Sequence, residues 1–216
     1  VELGSMEDDQ KRRDFTINAM SIGLDKKNKH KLIDPFKGME DLKKGILRTP
    51  LDPDKTYSDD PLRMIRAIRF SSQLNFKIEA KSFISIKKNY ERLKIVSNER
   101  IIDEFNKILL SKKPSIGLNL LFETKLLKIF FPELVKLQGK ETINKHTHKD
   151  NFYHTLQVVD NISMKTQNIW LRWAALLHDI AKPQTKRYDK KIGWSFHGHE
   201  YLGSKITPII FRRLKL

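Results

Sequence analysis

Asp60-Pro61-Leu62-Arg63-Met64-Ile65-Arg66-Ala67-Ile68-Arg69-Phe70 is the stretch whose reading decides the fold. An acidic residue before proline marks a helix start, with a carboxylate at the cap and a residue lacking N–H at the first helical position. Leu62, Ile65 and Ile68 then recur at helical spacing and define one apolar face. Arg63, Arg66 and Arg69 stand at i, i+3 and i+6, a slowly drifting ridge along the same helix. Like charges at that spacing repel by roughly a few tenths of a kcal/mol per pair. A polyphosphate or RNA backbone beside the ridge would turn the repulsion into attraction. Asp60 can cap the helix and still offer a free oxygen.

The helical texture spreads outward from this segment, from Ser58 to about residue 140. A second helix is predicted over Glu79–Leu93. Asn98 is placed as the cap of a third, with Ile101, Ile102, Phe105, Ile108 and Leu109 as its buried stripe. Another helical stretch starts at Ser115 and breaks near Pro132. Upstream, residues 1 to about 50 mix a predicted helix over Arg12–Ile22 with strand-like pieces, Lys31-Leu32-Ile33 and Ile46-Leu47-Arg48. Turn signals at Asp34-Pro35, Lys37-Gly38 and Gly45 separate them. Downstream lies a histidine-rich zone: His146, His148, His154, His178, His197 and His199, with only His30 elsewhere. The expected fold class is mainly α, with a small α/β remnant at the N-terminus. The expected divisions are 1–50, 51–145 and 146–216.

Bulk properties narrow the partner class. Forty-two Lys and Arg against 26 Asp and Glu leave a formal charge of +16. Such an excess attracts polyanions and makes nucleic acid the leading partner, with salt-sensitive binding. A solvated lysine-rich surface has the same composition. The absence of cysteine excludes disulfides and thiolate metal sites and fits the cytoplasm. No apolar run approaches the roughly 18 residues of a membrane span. The chain starts at Val1 and stops within the basic amphipathic pattern 209–216, which reads as a piece of a longer protein.

Two constellations carry chemistry. In Arg12-Arg13-Asp14-Phe15-Thr16-Ile17-Asn18, Asp14 and Asn18 are i,i+4 neighbours on the predicted helix. The two arginines offer planar forks suited to phosphate. An exposed, salt-bridged helix face would use the same residues. The second is His154, then His178-Asp179 in an apolar helix end, then His197-Gly198-His199. A charged pair among apolar residues needs compensation, which a divalent metal supplies. A hydrogen-bonded His-Asp pair without metal is the alternative.

Arg12–Met20, then Asp34-Pro35-Phe36-Lys37-Gly38-Met39-Glu40-Asp41-Leu42, then Asp60–Phe70 and Glu99–Phe105 resemble, in order, the motifs of bacterial CCA-adding enzymes and poly(A) polymerases. The resemblance covers nearly the whole chain and implies a helical neck and body followed by an HD-type helical domain. It implies that Arg12, Arg13, Asp14 and Asn18 hold the ribose and triphosphate of an incoming nucleotide. Asp60 and Arg63 would read the base edge, selecting CTP and then ATP, with Arg66 and Arg69 reaching phosphates or supporting that pair. A carboxylate accepts from an exocyclic amino group while a guanidinium donates to ring acceptors. The family often has Glu-Asp where this chain has Asp59-Asp60.

tRNA is the implied polymeric partner, its acceptor arm recognised by shape and backbone. Lys186-Arg187 and Lys190-Lys191 are candidates for its track. The family's glycine-rich loop and Asp-x-Asp magnesium ligands precede the double-arginine motif. Glu7, Asp8 and Asp9 lie too close to that motif to replace them, so these 216 residues alone are expected not to add nucleotides.

The histidine zone resembles the HD phosphohydrolases, which implies a divalent metal held by His154, His178 and Asp179. His197 and His199 would complete a second position or contact phosphate, and a final aspartate is not evident. A poly(A) polymerase, an HD phosphohydrolase with an RNA-binding N-terminal portion, and a non-catalytic RNA-binding module stand as alternatives.

Overall fold

The computed structural model describes residues 5–24, 26, 28–143, 146–147 and 150–216. His148 lies outside them, as does the side chain of His146. At the N-terminal end α1 spans Met6–Lys11. Ser5 and Asp8 form a reciprocal capping box, with Ser5 N donating to Asp8 at 3.0 Å and Asp8 N to Ser5 Oγ at 3.2 Å. Carboxylates at Glu7, Asp8 and Asp9 favour a first helical turn.

The helix therefore starts and ends upstream of the predicted Arg12–Ile22 segment. The chain leaves α1 at Arg12, makes one 3-10 turn over Thr16–Asn18, and enters β1 (Ser21–Ile22). Tertiary bonding overrides the helical pattern here: Thr16 N donates to Arg48 O at 2.8 Å and Phe15 is buried in the core.

β1 pairs antiparallel with β2 (Leu32–Ile33). α2 (Gly38–Lys44) follows, its N-terminal amides at Gly38 and Met39 donating to Asp34 at 2.7 and 2.9 Å. Gly38 is required by close approach, because a Cβ there would meet Thr16 O at 2.1 Å. β3 (Ile46–Leu47) pairs in parallel with β4 (Lys77–Ile78), which stitches this N-terminal part to the helical middle.

In the middle, α3 (Pro53–Asp59) and α4 (Leu62–Leu74) begin on the same Asp-Pro signal. The α3 copy, Asp52-Pro53, starts a helix that the apolar pattern does not reveal. α4 starts one residue later than predicted, with Asp60 Oδ1 accepting from Leu62 N at 3.1 Å. α5 (Ala80–Asn89) continues into a 3-10 segment over Tyr90–Ile95, so the predicted second helix splits in two.

α6 (Asn98–Leu109) buries its predicted stripe, but Asn98 is not its cap. Ser97 occupies the cap position, and Asn98 Nδ2 donates to Arg213 O at 2.8 Å. α7 (Pro114–Glu123), α8 (Leu126–Phe130) and α9 (Pro132–Val135) complete this part, the last break falling at Pro132.

The C-terminal part contains β5 (Thr142–Ile143) with β6 (His146–Thr147), α10 (Asn151–Ser163), α11 (Ile169–Leu177), α12 (Lys182–Thr185), the β7 (Arg187–Asp189)–β8 (Gly193–Ser195) hairpin, and α13 (His199–Leu214). Its core is continuous with that of the middle. Trp173 of α11 packs on Phe105, Phe131 and Phe211, and its Nε1 donates to Asn106 Oδ1 at 2.8 Å.

Beside it Arg172 is fully buried. Its guanidinium donates to Leu109 O, to Ser111 O at 2.8 Å, to Ser163 O at 3.1 Å and to Thr166 O at 2.9 and 3.1 Å. These carbonyls sit at and beyond the C-terminal ends of α6 and α10, where helices leave acceptors unsatisfied. Removing the arginine would orphan several buried acceptors at roughly 1–3 kcal/mol each and open a cavity. Arg172→Ala is expected to cost about 3 kcal/mol or more in urea unfolding. Arg172→Lys should recover only part, because an ammonium cannot span four carbonyls in a planar fork.

Candidate nucleotide cleft and metal site

A cleft of about 430 Å³ opens where the Arg12–Asn18 segment meets the start of α4. Arg12, Arg13, Asp14, Asn18, Asp60, Arg63 and Arg66 all line it, as does Arg100 of α6. The turn after α1 brings the first group together without the predicted helix. Asn18 Nδ2 donates to Asp14 Oδ1 at 2.7 Å, and Asn18 Oδ1 accepts from Phe15 N at 3.2 Å. So the expected neighbours do meet, through a 3-10 turn.

Buried charge organises the floor. Asp14 Oδ2 accepts from Arg66 Nε at 2.6 Å, and Arg66 also lies 4.0 Å from the buried Glu104. Glu104 in turn pairs with Arg69 at 3.2 Å and Lys107 at 2.9 Å. Arg69 stacks 4.0 Å over the Phe70 ring and does not line the cleft. Burial pulls its pKa below the ordinary arginine value, with Glu104 opposing. Arg66 therefore faces the cleft from a fixed position while Arg69 braces it through Glu104.

At the rim Asp9 accepts from both Arg13, at 2.8 Å, and Arg12, and these bonds hold its carboxyl below the usual range. Glu7 pairs with Lys11 at 2.7 Å and Asp8 caps α1. Each of the three acids before the motif is thus engaged locally.

Asp60 and Arg63 face the same cleft by different means. Asp60 Oδ2 accepts from Arg100 Nη2 at 3.3 Å, and Arg63 donates to Arg12 O and, at 3.4 Å, to Thr56 O. Arg100 received no role from the sequence beyond its place in the Glu99–Phe105 motif. The signal that could have found it is its position near the start of α6, whose buried stripe fixes which residues point outward. Arg12, Arg13, Arg63, Arg66 and Arg100 outweigh Asp14 and Asp60, so the charge of the cleft suits a polyanion.

The second site lies on α10 and at the end of α11. Donor atoms of His154, His178 and Asp179 lie within 4.8 Å of one another, and the two imidazoles sit 5.7 Å apart. His178 Nδ1 is 2.7 Å from Ala175 O, which directs Nε2 toward Asp179 Oδ2 at 3.2 Å. Such an orienting bond is the usual support for a metal-ligating histidine. Asp179 is buried, and Lys182 at 2.7 Å supplies positive charge. Burial opposes its ionisation, but hydrogen bonds from His178 and Lys182 hold its pKa at about 2. Two imidazoles and a carboxylate are a donor set that would hold a divalent ion.

His199 Nε2 stands 3.5 Å from Asp179 Oδ1, at the edge of this group, while its Nδ1 is 2.9 Å from Phe196 O. His197 is exposed and does not join the cluster. The β7–β8 hairpin carries Arg187, and its preceding residue Lys186 pairs with Glu141 at 2.7 Å.

Three family models match successive parts of the chain. Residues 1–48 match the poly A polymerase head domain, 75–137 the probable RNA- and SrmB-binding site of polymerase A, and 151–216 the HD domain. The chain belongs to the poly(A) polymerase and tRNA nucleotidyltransferase family. It is 35% identical, over 98% of its length, to an A-adding tRNA nucleotidyltransferase of Deinococcus radiodurans, of which it covers 49%. It is 47% identical over 57% of its length to a CCA-adding enzyme of Ligilactobacillus salivarius, covering 30% of that protein. Its fold matches the CCA-adding enzyme of Bacillus stearothermophilus in complex with CTP, with a TM-score of 0.60 and 25% identity over 99% of this chain and 48% of that one. The chain thus spans about half the length of the Deinococcus relative. Among the described residues no helix is long and apolar enough to cross a membrane.

The metal site yields a pH prediction. The hydrogen bond to Asp179, against burial and with help from Ala175 O, raises the His178 pKa above its ordinary 6.5. A metal must displace that proton, so affinity should rise with pH, by about tenfold per unit, until the raised pKa is passed. Calorimetric titration with Mn²⁺ or Zn²⁺ between pH 6 and 8 checks this, and His178→Gln should flatten the profile. The sign for metal-free stability is opposite. A raised folded-state pKa contributes stability that is present below 6.5 and lost as pH rises through the raised value.

Proposed function

We propose that this chain is the nucleotide- and tRNA-binding part of a tRNA nucleotidyltransferase that adds CCA to tRNA 3′ ends from CTP and ATP. The observation that carries this reading is the cleft itself. Arg12, Arg13 and Arg66 gather for phosphates, Asp14 and Asn18 for ribose, and Asp60 with Arg63 for the base edge. Similarity to proteins named for A addition and CCA addition supports it. In this reading residues 1–50 close the head, 51–145 form the neck and body, and 146–216 form the HD part, in the cytoplasm.

Arg100 modifies the base-reading role. Its guanidinium donates to the Asp60 carboxylate, so a base read by Asp60 must displace it or share its hydrogen bond. Cytosine and adenine both present an amino donor beside a ring acceptor, which one Asp–Arg pair can read. Uracil and guanine present a carbonyl oxygen there, which a carboxylate repels. Asp60→Ala should therefore erode selection of CTP and ATP over UTP and GTP while leaving tRNA affinity within about threefold, since its contribution is specificity rather than charge attraction.

Nucleotidyl transfer needs magnesium held by carboxylates that activate the primer hydroxyl and neutralise the leaving pyrophosphate. Glu7, Asp8 and Asp9 are committed to Lys11, Ser5 and the arginine pair and do not form such a set. The 216 residues alone should bind CTP and tRNA, more weakly as salt rises, yet incorporate no labelled nucleotide. With a glycine-rich loop and Asp-x-Asp segment placed upstream, CTP alone should give two added cytidines on a trimmed tRNA. A poly(A) polymerase or an A-adding enzyme would leave CTP unused, and that result sinks the CCA assignment.

A second reading is favoured by the metal cluster: divalent-metal-dependent phosphoester hydrolysis at His154, His178 and Asp179, with His199 beside them. A bound ion would polarise a phosphoryl oxygen and lower the pKa of attacking water, and these residues would hold and orient it. Metal-stimulated phosphate release that disappears in His178→Ala and Asp179→Ala, with unfolding midpoints still measurable, supports this activity.

A further inference from the structure

Lys186-Arg187 and Lys190-Lys191 lie on or beside the β7–β8 hairpin, which lines neither the arginine cleft nor the histidine cluster. The strands pair in the register Arg187↔Ser195, Tyr188↔Trp194 and Asp189↔Gly193. Side chains alternate across a strand, so this register gives the hairpin two unlike faces. One carries Tyr188 and Trp194, whose rings stand 5.2 Å apart. That face is occupied from within the fold. Tyr188 Oη donates to Ile143 O at 3.3 Å, and Lys186 Nζ lies 4.6 Å from the Trp194 ring and 2.7 Å from Glu141. Lys186 is therefore a brace of the hairpin and not part of its free charge.

The other three cations are open. Arg187, Lys190 and Lys191 are exposed, and among the described residues none pairs with a carboxylate. Asp189, the acid between them, is taken up by the turn: its Oδ1 accepts from Lys191 N at 2.7 Å and from Ile192 N at 3.1 Å. Those bonds, with Gly193 at φ 80°, fix the turn. At the base Thr185 Oγ1 donates to Phe196 O at 3.3 Å. A fixed arm thus presents three cations against one acid, with the exposed Ile192 at its tip. Its charge selects a polyanion. From Arg187 to Lys190 the arm spans up to about 10 Å at roughly 3.3 Å per residue, the axial rise of about three phosphates of one duplex strand. A single strand is held by stacking its bases on open aromatic rings, and both rings of this hairpin lie on its closed face. A double helix asks only for backbone contacts, and in RNA it offers a wide, shallow minor groove to a short apolar tip.

We propose that the β7–β8 hairpin grips the sugar–phosphate backbone of a double-helical RNA segment through Arg187, Lys190 and Lys191, with Ile192 against the minor groove. The proposal takes its polymer, tRNA, from the reading above and adds a contact outside the arginine-lined cleft, made by backbone and shape and not by base identity.

The test is fluorescence anisotropy of the chain with tRNA across a salt series. Arg187→Gln, Lys190→Gln and Lys191→Gln together should lower tRNA affinity about tenfold at about 0.1 M salt. They should also flatten the slope of log K against log salt by about two to three. CTP affinity should not change, and binding of single-stranded oligouridine should change by less than about twofold. The chain has no cysteine, so Ile192→Cys carrying a benzophenone places one photoreactive group at the tip and keeps all three cations. Its crosslinks should fall on base-paired nucleotides of tRNA. An unchanged salt slope, an equal loss for oligouridine, or crosslinks confined to unpaired nucleotides overturns the proposal while tRNA binding by the chain stands. Loss of binding to phosphatidylserine vesicles with tRNA affinity intact also overturns it and gives the arm to a lipid surface. If the unaltered chain shows no salt-sensitive tRNA binding, the tRNA reading itself fails.

Discussion

Arg172 places a full positive charge in a fully buried position, bonded to no carboxylate among the described residues, and its guanidinium is solvated by backbone carbonyls. A buried ion without compensation would cost many kcal/mol, so α11 docks only where the ends of α6 and α10 supply those oxygens. Trp173, the next residue, then lands on Phe105 and Phe131 and bonds Asn106. That docking makes the histidine-bearing helices an extension of the core of the helical middle. It also fixes α6, and α6 carries both Glu104, which holds Arg66 and Arg69, and Arg100, which covers Asp60. The geometry of the arginine-lined cleft therefore depends on packing that begins at the opposite end of α6.

The two sites solve opposite electrostatic problems. The cleft concentrates guanidiniums, and buried acids at Asp14 and Glu104 keep them from scattering in their own repulsion. Its unfilled demand is for anion. The cluster on α10 and α11 is acid and imidazole in an apolar setting, partly neutralised by Lys182. Its unfilled demand is for cation. A phosphate-bearing partner would meet the first site directly and the second through an ion held by its imidazoles and carboxylate. This is why one polyanionic partner is consistent with both.

The Asp34–Leu42 motif shows how much of a family signature is scaffolding. Asp34 caps α2, Gly38 admits the Thr16 carbonyl, and Asp41 accepts from Thr16 Oγ1 at 2.8 Å and from Arg48 at 3.1 Å. None of these residues lines the cleft. Together they hold the 3-10 turn that aims Asp14 and Asn18 into it.

Local rules written in the chain determined a good deal on their own. Asp-Pro starts, apolar spacing and proline breaks set α4, α6 and the break at Pro132, and motifs in a recognisable order singled out Arg12, Asp14, Asp60, His154, His178 and Asp179 as candidates for chemistry. These are short-range signals, readable because capping and periodicity act within a turn or two. Tertiary structure decided what short-range signals cannot carry. It turned the predicted helix at 12–22 into a 3-10 turn held by Arg48. It sent Arg69 to Glu104, brought Arg100 across to Asp60, left His197 in solvent while His199 reached Asp179, and gave Asn98 to Arg213. Each of those outcomes depends on a partner far away in sequence, and the energy that selects it exists only once the core has brought the two together.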